Sequence, residues 1–558
     1  MIMLNYLARQ SRPGAFTCIS CLAQLSRAWK RTNSTSGSES HLRIPKSPRK
    51  LELPSSPART RFAPSPTGYL HLGSLRTALY NYLLAKRTGG QFLLRIEDTD
   101  QKRTIPNAEK RLLEDLRWAG LEWDEGPEVG GPYGPYKQSE RTTLYQEHAE
   151  KLLSSGHAYR CFCTSQRLAE LAKLRTEQNL SPDYDRTCAG ISKDESKERA
   201  AKGEAHVVRL KVPDVYPEFN DLVYKKVGNT KRIGANDGYE DPVLLKSDGL
   251  PTYHLANVVD DHHMKITHVI RGTEWLPATP KHLVMYQAFG WTPPEFAHVG
   301  LLVDDKGNKL SKRNFDTDIA SFRDKSGVFP EALSNFVALL GWSHKNKTDV
   351  MTMNELVDNF VMKFTKGNST VTLGKLWFLQ QKHAIRRIDA GGPPFDKMVD
   401  DVVAIVEKDL DSAKYEVILG KRNLREYVAS IVRSAAKKEW STPKAFVEQC
   451  DYFFTLPEPP SAHQDVALSL PFIQAIKTLP QDQPWDSEPI KHAIKAGMSN
   501  WCTTEGRSEK EGYQLLRGLV ANGKHGPGVH EIMTILGREE TFRRLGAEAF
   551  GEQASSKT

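Results

Sequence analysis

Cysteine is scarce: seven residues among 558, an odd number spread along the chain. Such usage excludes a disulfide-stapled extracellular framework and suits an intracellular protein that folds on hydrophobic cores. Long apolar runs are missing too, and nothing approaches the ~18 residues that cross a bilayer, so a soluble protein without membrane contact is expected. There are no internal repeats and no G-x-x-x-x-G-K-[ST] phosphate loop, and Gly526-Pro527-Gly528 lacks the strand-to-helix setting of a dinucleotide fingerprint. Acidic residues nearly vanish from residues 1–60, where ten basic side chains face only Glu39 and Glu52. Arg9, Arg12, Arg27, Lys30 and Arg31 among Ser, Thr and short apolar groups give the composition of an organelle transit peptide, and mitochondrial import is the first reading. Eight of the nine excess positive charges lie in that segment, so global charge says little about nucleic acid. Any RNA contact would rest on local basic faces such as residues 421–425 or 538–544, which could equally be solvated helix surfaces.

What is present is concentrated in residues 60–100. Arg61, Phe62 and Ala63 end an extended run, and Pro64, Pro66 and Gly68 force a turn. Leu75, Leu79, Tyr82 and Leu83 recur at helical spacing from Ser74 to about Arg87, Gly89-Gly90 stop the helix, and the apolar run from Phe92 to Ile96 follows. This is a βαβ unit whose helix start, with its unpaired N–H groups and positive dipole end, lies just past His71-Leu72-Gly73-Ser74. A phosphate could approach over Gly73 and face His71. A lone His-x-Gly is more often a packed helix start, and a lone basic pentapeptide such as Lys309-Leu310-Ser311-Lys312-Arg313 is more often a solvated patch. Here both occur in order, more than two hundred residues apart, the second after a strand-like run from Val299 to Val303 and the turn Asp304-Asp305-Lys306-Gly307.

PSPTGYLHLGS with RIEDTD, followed by KLSKR, resembles the two signatures of class I aminoacyl-tRNA synthetases in the form of the glutamate and glutamine enzymes. The block from Thr252 to His262, running into Arg271-Gly272-Thr273-Glu274-Trp275, closely resembles glutamyl-tRNA synthetase of the bacterial and mitochondrial type. The likeness extends from about residue 59 to about residue 550 and weakens between about 389 and 483.

That resemblance implies an α/β fold: a Rossmann-like catalytic domain with an inserted acceptor-binding domain, followed by a mostly α-helical anticodon-binding region. The expected division is a mitochondrial transit segment (1–57), a first catalytic half (58–159), an insertion gripping the tRNA acceptor end (160–250) and a second catalytic half with the lysine loop (251–315). A helical stem-contact domain (316–388), suggested by Leu356, Phe360, Leu376 and Phe378, and a helical anticodon-binding domain (389–558) complete it. The implied reaction joins L-glutamate to tRNA(Glu), with tRNA(Gln) a second candidate, through a glutamyl-adenylate made from ATP with Mg²⁺ in the mitochondrial matrix by a monomer. His71, Lys309 and Lys312 would be catalytic. Gly73, Glu274, Leu310, Ser311 and Arg313 would join them around ATP. Arg61 and Arg271 would meet the glutamate carboxylates, Glu97 its ammonium, and Ala63, Ser65, Tyr253 and Asn257 would complete the pocket. Read without the motifs, Glu97 could instead pair with Arg95, and Asp98, Asp100, Asp260 and Asp261 could be caps or supporting partners.

Cys161, Cys163, Tyr184 and Cys188 could hold zinc, as some relatives do, but the residue two beyond Cys188 is Gly190, so tetrahedral closure would have to recruit Tyr184 or a distant side chain. Buried free thiols are the expectation. Two other functions stay open: a glutaminyl enzyme, which would end in β-barrels, and a catalytically inactive synthetase-like RNA-binding scaffold.

Overall fold

Short parallel strands position everything that follows. The computed structural model describes residues 53–228, 238–310, 318–456 and 467–546. The segment read as a transit peptide therefore lies almost wholly outside the described residues, as do Ser311, Lys312 and Arg313.

Strand β1 (Arg59–Phe62) pairs in parallel with β2 (Gln91–Leu94), from Arg59 opposite Gln91 to Phe62 opposite Leu94. Helix α1 (Leu72–Arg87) crosses between them and buries Leu75, Leu79 and Leu83 completely. Each such leucine contributes roughly 1.5–3 kcal/mol by leaving water. The helix opens two residues before the expected Ser74, because His71 takes the capping position and its Nδ1 accepts the Ser74 N–H at 3.3 Å.

The second half repeats the plan. Helix α2 (Tyr253–His263) leads into β3 (His268–Gly272), and α3 (Thr279–Phe289) crosses to β4 (Glu295–Val299), parallel to β3. Pro280 in its first turn and Gly290 at φ 68° delimit α3, as the helix start and stop rules require. The Thr267 N–H donates to the Arg59 carbonyl at 2.9 Å and brings β3 beside β1, so the C-terminal ends of both strands look into one opening. In parallel α/β sheets that is where ligands bind.

The run from Val299 to Val303 is not one strand. β4 ends at Val299, and Leu302–Val303 instead pairs in parallel with Ser369–Thr370. Gly300 is the break: its carbonyl accepts from Arg76, and a Cβ there would collide with the Gly367 carbonyl.

Between the halves, Ala158–Cys161, Val207–Leu210 and Val243–Leu245 form an antiparallel sheet, with helices Ser165–Glu177 and Lys193–Ala201 capped by Thr164 and Ser192. Strand Phe219–Asp221 hairpins with Lys225–Val227 and returns to the catalytic sheet, where the Leu222 N–H donates to the Phe296 carbonyl at 2.8 Å.

From Leu373 onward the described residues form helices and contain no strand. A first core holds Ala58 through Leu379 and a second holds Phe329 through Leu545; helix Leu373–Ala390 gives Leu376 and Leu379 to one and Ala384 to the other. Leu356, Phe360 and Leu376 are buried, whereas Phe378 is 43% exposed, with the ammonium groups of Lys375 and Lys382 over its ring. The basic runs at 421–425 and 538–544 are largely committed within the fold. Arg425 bonds Asp400 and Asp396, Arg538 donates to the Leu479 and Pro480 carbonyls, and buried Arg544 bonds Glu540. Among the described residues no helix is long and apolar enough to cross a membrane.

Candidate active site

One cavity of about 570 Å³ opens where β1, β3, α1 and α2 converge. Arg61, Ala63, Ser65, Glu97, Tyr253, Asn257 and Arg271 line its inner part. His71, Gly73, Glu274, Lys309 and Leu310 line the remainder, so every residue expected around glutamate or ATP that the structure describes borders the same space.

At the mouth of α1, His71 does two things. Its Nδ1 accepts the Ser74 N–H, and its Nε2 lies 3.0 Å from the Ser74 hydroxyl, so the ring folds over the first turn. Gly73 permits this, since a Cβ would sit 3.3 Å from the ring. The first turn carries no acidic side chain, which leaves the positive dipole end available to an anion. Lys309 reaches the cavity from a hairpin in which the Leu310 N–H donates to the Leu302 carbonyl.

Deeper in, charge is organised by buried carboxylates. Arg61 donates through Nε to Asp261 at 3.0 Å, and Arg95 donates to the same carboxylate at 2.7 Å and to Glu97 at 3.1 Å. Asp260 accepts from Arg141 at 2.7 Å and from Gln138 at 2.9 Å. Asp260 and Asp261 are thus the supporting partners that the sequence left open. With its amide oxygen turned to the guanidiniums, Asn257 accepts from Arg61 at 3.3 Å and Arg95 at 3.1 Å. Burial pushes the Asp261 carboxyl upward, but Arg61 and Arg95 more than reverse this and hold it below the usual range. At Glu97 burial prevails over Arg95 and Arg61, and the carboxyl is raised. Glu97 therefore does pair with Arg95 while still lining the cavity; the two readings of this residue are compatible.

Arg271 is 4% exposed. It donates to the Tyr253 hydroxyl at 3.0 Å, Thr279 Oγ1 at 2.7 Å and His298 Nε2 at 3.0 Å. Tyr253 stacks on Trp275 with ring centroids 4.0 Å apart, walling that side. Thr279, His282, His298 and Asp221 had no sequence signal; they come from three separate segments, α3, β4 and the strand ending at Asp221, and meet only in the folded chain. Trp275 was visible in the RGTEW block but carried no assigned role.

Two carboxylates line the cavity, Glu97 and Glu274, and Glu97 is engaged by Arg95. A hard divalent cation needs about six oxygen ligands, so the chain fits a Mg²⁺ that arrives on the phosphates of a nucleotide rather than one caged by protein. Elsewhere, the sulfurs of Cys161, Cys163 and Cys188 lie within 4.8 Å of one another. The Tyr184 hydroxyl lies 3.3 Å from Cys161 and 3.2 Å from Cys163. Among the described residues no fourth Cys, His, Asp or Glu joins this group, so the set is incomplete for structural zinc.

The description "tRNA synthetases class I (E and Q), catalytic domain" matches residues 57–378, and "Anticodon binding domain" matches residues 406–548. Fold and cavity accordingly place the chain among the class I aminoacyl-tRNA synthetases, a class that works with ATP and Mg²⁺. The mitochondrial glutamate–tRNA ligase of Saccharomyces cerevisiae is 42% identical over 512 residues, covering 88% of this chain and 90% of that protein. The mitochondrial one of Schizosaccharomyces pombe is 38% identical over 502 residues, covering 87% and 90%. The crystal structure of a glutamate tRNA ligase from Elizabethkingia meningosepticum in complex with its amino acid superposes with a TM-score of 0.73 at 33% identity, covering 88% of this chain and 99% of that one. This chain belongs to the glutamate–tRNA ligase family.

Proposed function

We propose that the chain joins L-glutamate to tRNA(Glu) in two steps, activation by ATP to a glutamyl-adenylate and transfer to the tRNA terminal adenosine. One observation carries this reading: two buried arginines, a carboxylate and a phosphate-receptive helix mouth share a single cavity. The nucleophile is the glutamate α-carboxylate, already charged, so no activated side chain is required. Positioning and charge neutralisation do the work. Arg61 and Arg271 take the carboxylates, an Arg fork suiting a planar anion better than Lys. Glu97 takes the ammonium, with Ala63, Ser65, Tyr253 and Asn257 around the chain. His71 and the N–H groups at Gly73 face the phosphates, Glu274 lies beside ATP, and Lys309 with Lys312 neutralises the departing pyrophosphate.

The tRNA is gripped by residues 160–250 at its acceptor end, by 316–388 along its stem and by 389–558 at its anticodon, and the enzyme acts as a monomer. The basic, acid-poor residues 1–57 and the two mitochondrial relatives support import into the matrix. Charging of tRNA(Gln) as well would depend on anticodon contacts in the helical region. The all-helical described region beyond Leu373 supports the glutamate rather than the glutaminyl reading.

The test is tRNA-dependent exchange of pyrophosphate with ATP, and charging of tRNA, by protein lacking residues 1–57. Glutamate should support both. Activity with glutamine alone would make it the sibling enzyme, and none with either would make it a scaffold.

A further inference from the structure

We propose that Asp221 and His298 are a positioning pair for Arg271: they keep its guanidinium an uncompensated cation, so Asp221, from the inserted segment, helps the pocket choose an acid over an amide. The inference rests on Arg271 being a partner of a glutamate carboxylate, as proposed above.

The argument begins with donors and acceptors. A guanidinium has five N–H donors and no acceptor, so His298 Nε2, 3.0 Å from Arg271 Nε, presents a lone pair. The ring proton then sits on Nδ1 and is donated to Asp221 Oδ2 at 2.7 Å. That carboxylate is itself fixed. Its Oδ1 accepts the N–H groups of Val223 at 2.9 Å and Tyr224 at 2.8 Å, and its Oδ2 accepts the His298 N–H at 3.1 Å. All three side chains are out of water, with Asp221 1%, His298 0% and Arg271 4% exposed. Burial also lowers the basicity of His298, outweighing the Asp221 bond, which favours the neutral ring.

The remaining acceptors around Arg271 are neutral as well: the Tyr253 and Thr279 hydroxyls, the Trp275 carbonyl at 3.4 Å and His282 Nδ1 at 3.5 Å. Among the described residues, no carboxylate forms an ion pair with Arg271, whereas Arg61 is paired with Asp261. One imidazole thus separates Arg271 from its nearest organising carboxylate. The ring transmits orientation without cancelling charge, and an entering carboxylate meets a buried positive group that an amide oxygen would leave unbalanced. The two longest contacts, at 3.4 and 3.5 Å, are the ones a substrate oxygen would replace.

Asp221→Asn tests this. The two N–H groups directed at Oδ1 keep an oxygen there, so the new NH₂ must face His298 Nδ1. Only the opposite tautomer fits, and its Nε2–H opposes the Arg271 Nε–H. The expected result is a glutamate KM raised about tenfold or more, as for a lost hydrogen bond to a charged group. The ATP KM should be nearly unchanged and the preference for glutamate over glutamine reduced. Nitrogen-15 NMR of histidine-labelled protein should show His298 protonated on Nδ1 in the natural enzyme and on Nε2 in the variant. A natural enzyme with an Nε2–H or doubly protonated ring would overturn the proposal even if the variant fails to fold. So would unchanged constants, or equal changes for glutamate and ATP. Arg271→Ala is the reference: if it too leaves the glutamate KM alone, the active-site reading fails; if it alone raises that KM, only the relay fails.

Discussion

Arg95 and Asp261 meet at 2.7 Å with side chains 0% and 2% exposed, and through Asp261 the guanidinium of Arg95 is tied to that of Arg61. A three-way contact of this kind, with Glu97 as the further partner of Arg95, braces Arg61 and Glu97, which line the pocket, from behind. Arg95→Met would strand buried carboxylates and should cost about 3–5 kcal/mol, read as a lower urea midpoint. Arg95→Lys should recover little, because one ammonium cannot serve Asp261 and Glu97 at once.

Substituting His71 separates its two duties. Asn is a good capping residue, so His71→Asn should keep stability within about 0.5 kcal/mol, while His71→Ala should lose ~1 kcal/mol. Both should lower turnover by about a hundredfold if the ring faces the phosphates. Calorimetric melting and single-turnover adenylate formation measure the two separately.

Glu97 supplies a pH dependence. Burial raises its carboxyl despite Arg95 and Arg61, yet its proposed partner is an ammonium that needs the charged form. Glutamate affinity should therefore weaken on acidification at a pH above the ordinary Glu value of about 4.3. Glu97→Gln should abolish that inflection and raise the glutamate KM about ten- to hundredfold. KM measured across pH for both proteins decides the point.

Asp115 affects stability instead. Its buried carboxyl is pushed up to about 6, with Arg323 and Arg111 only partly opposing burial. Since the unfolded value is about 3.9, the folded chain binds this proton more tightly, and the stabilisation present at low pH is lost as pH rises through the folded value. Denaturant midpoints should show Asp115→Asn gaining relative to the natural protein between about pH 4.5 and about pH 7.

The cysteine group should be metal-free. After dialysis against a chelator and restoration of Mg²⁺, glutamate activation should be unchanged, and elemental analysis before dialysis should show far less than one zinc per chain. Stoichiometric zinc would instead make Cys161, Cys163, Cys188 and Tyr184 a ligand set.

The legible parts of this molecule were those where chemistry and local geometry coincide. His-x-Gly at a helix start, the RIED strand and the apolar period of α1 are short-range features, and the sites they imply do line one cavity. The supports of Arg271 were not legible, because Asp221, Thr279 and His298 are ordinary residues until folding joins segments up to 77 positions apart. The exposure of Phe378 and the ion pairs of the basic runs were not legible for a related reason: period and charge do not say which residues a neighbouring element will cover or pair. Likewise β4 stopped short because of a backbone close approach that hydrophobicity does not register.

That close approach at Gly300 and Gly367 makes the seam between catalytic sheet and helical body intolerant of even one methyl group. Position 300 is therefore a natural lever for engineers: Gly300→Ala should wedge the two apart without replacing any residue assigned to the substrate pocket, and would reveal how far amino-acid activation depends on the remainder of the molecule staying docked.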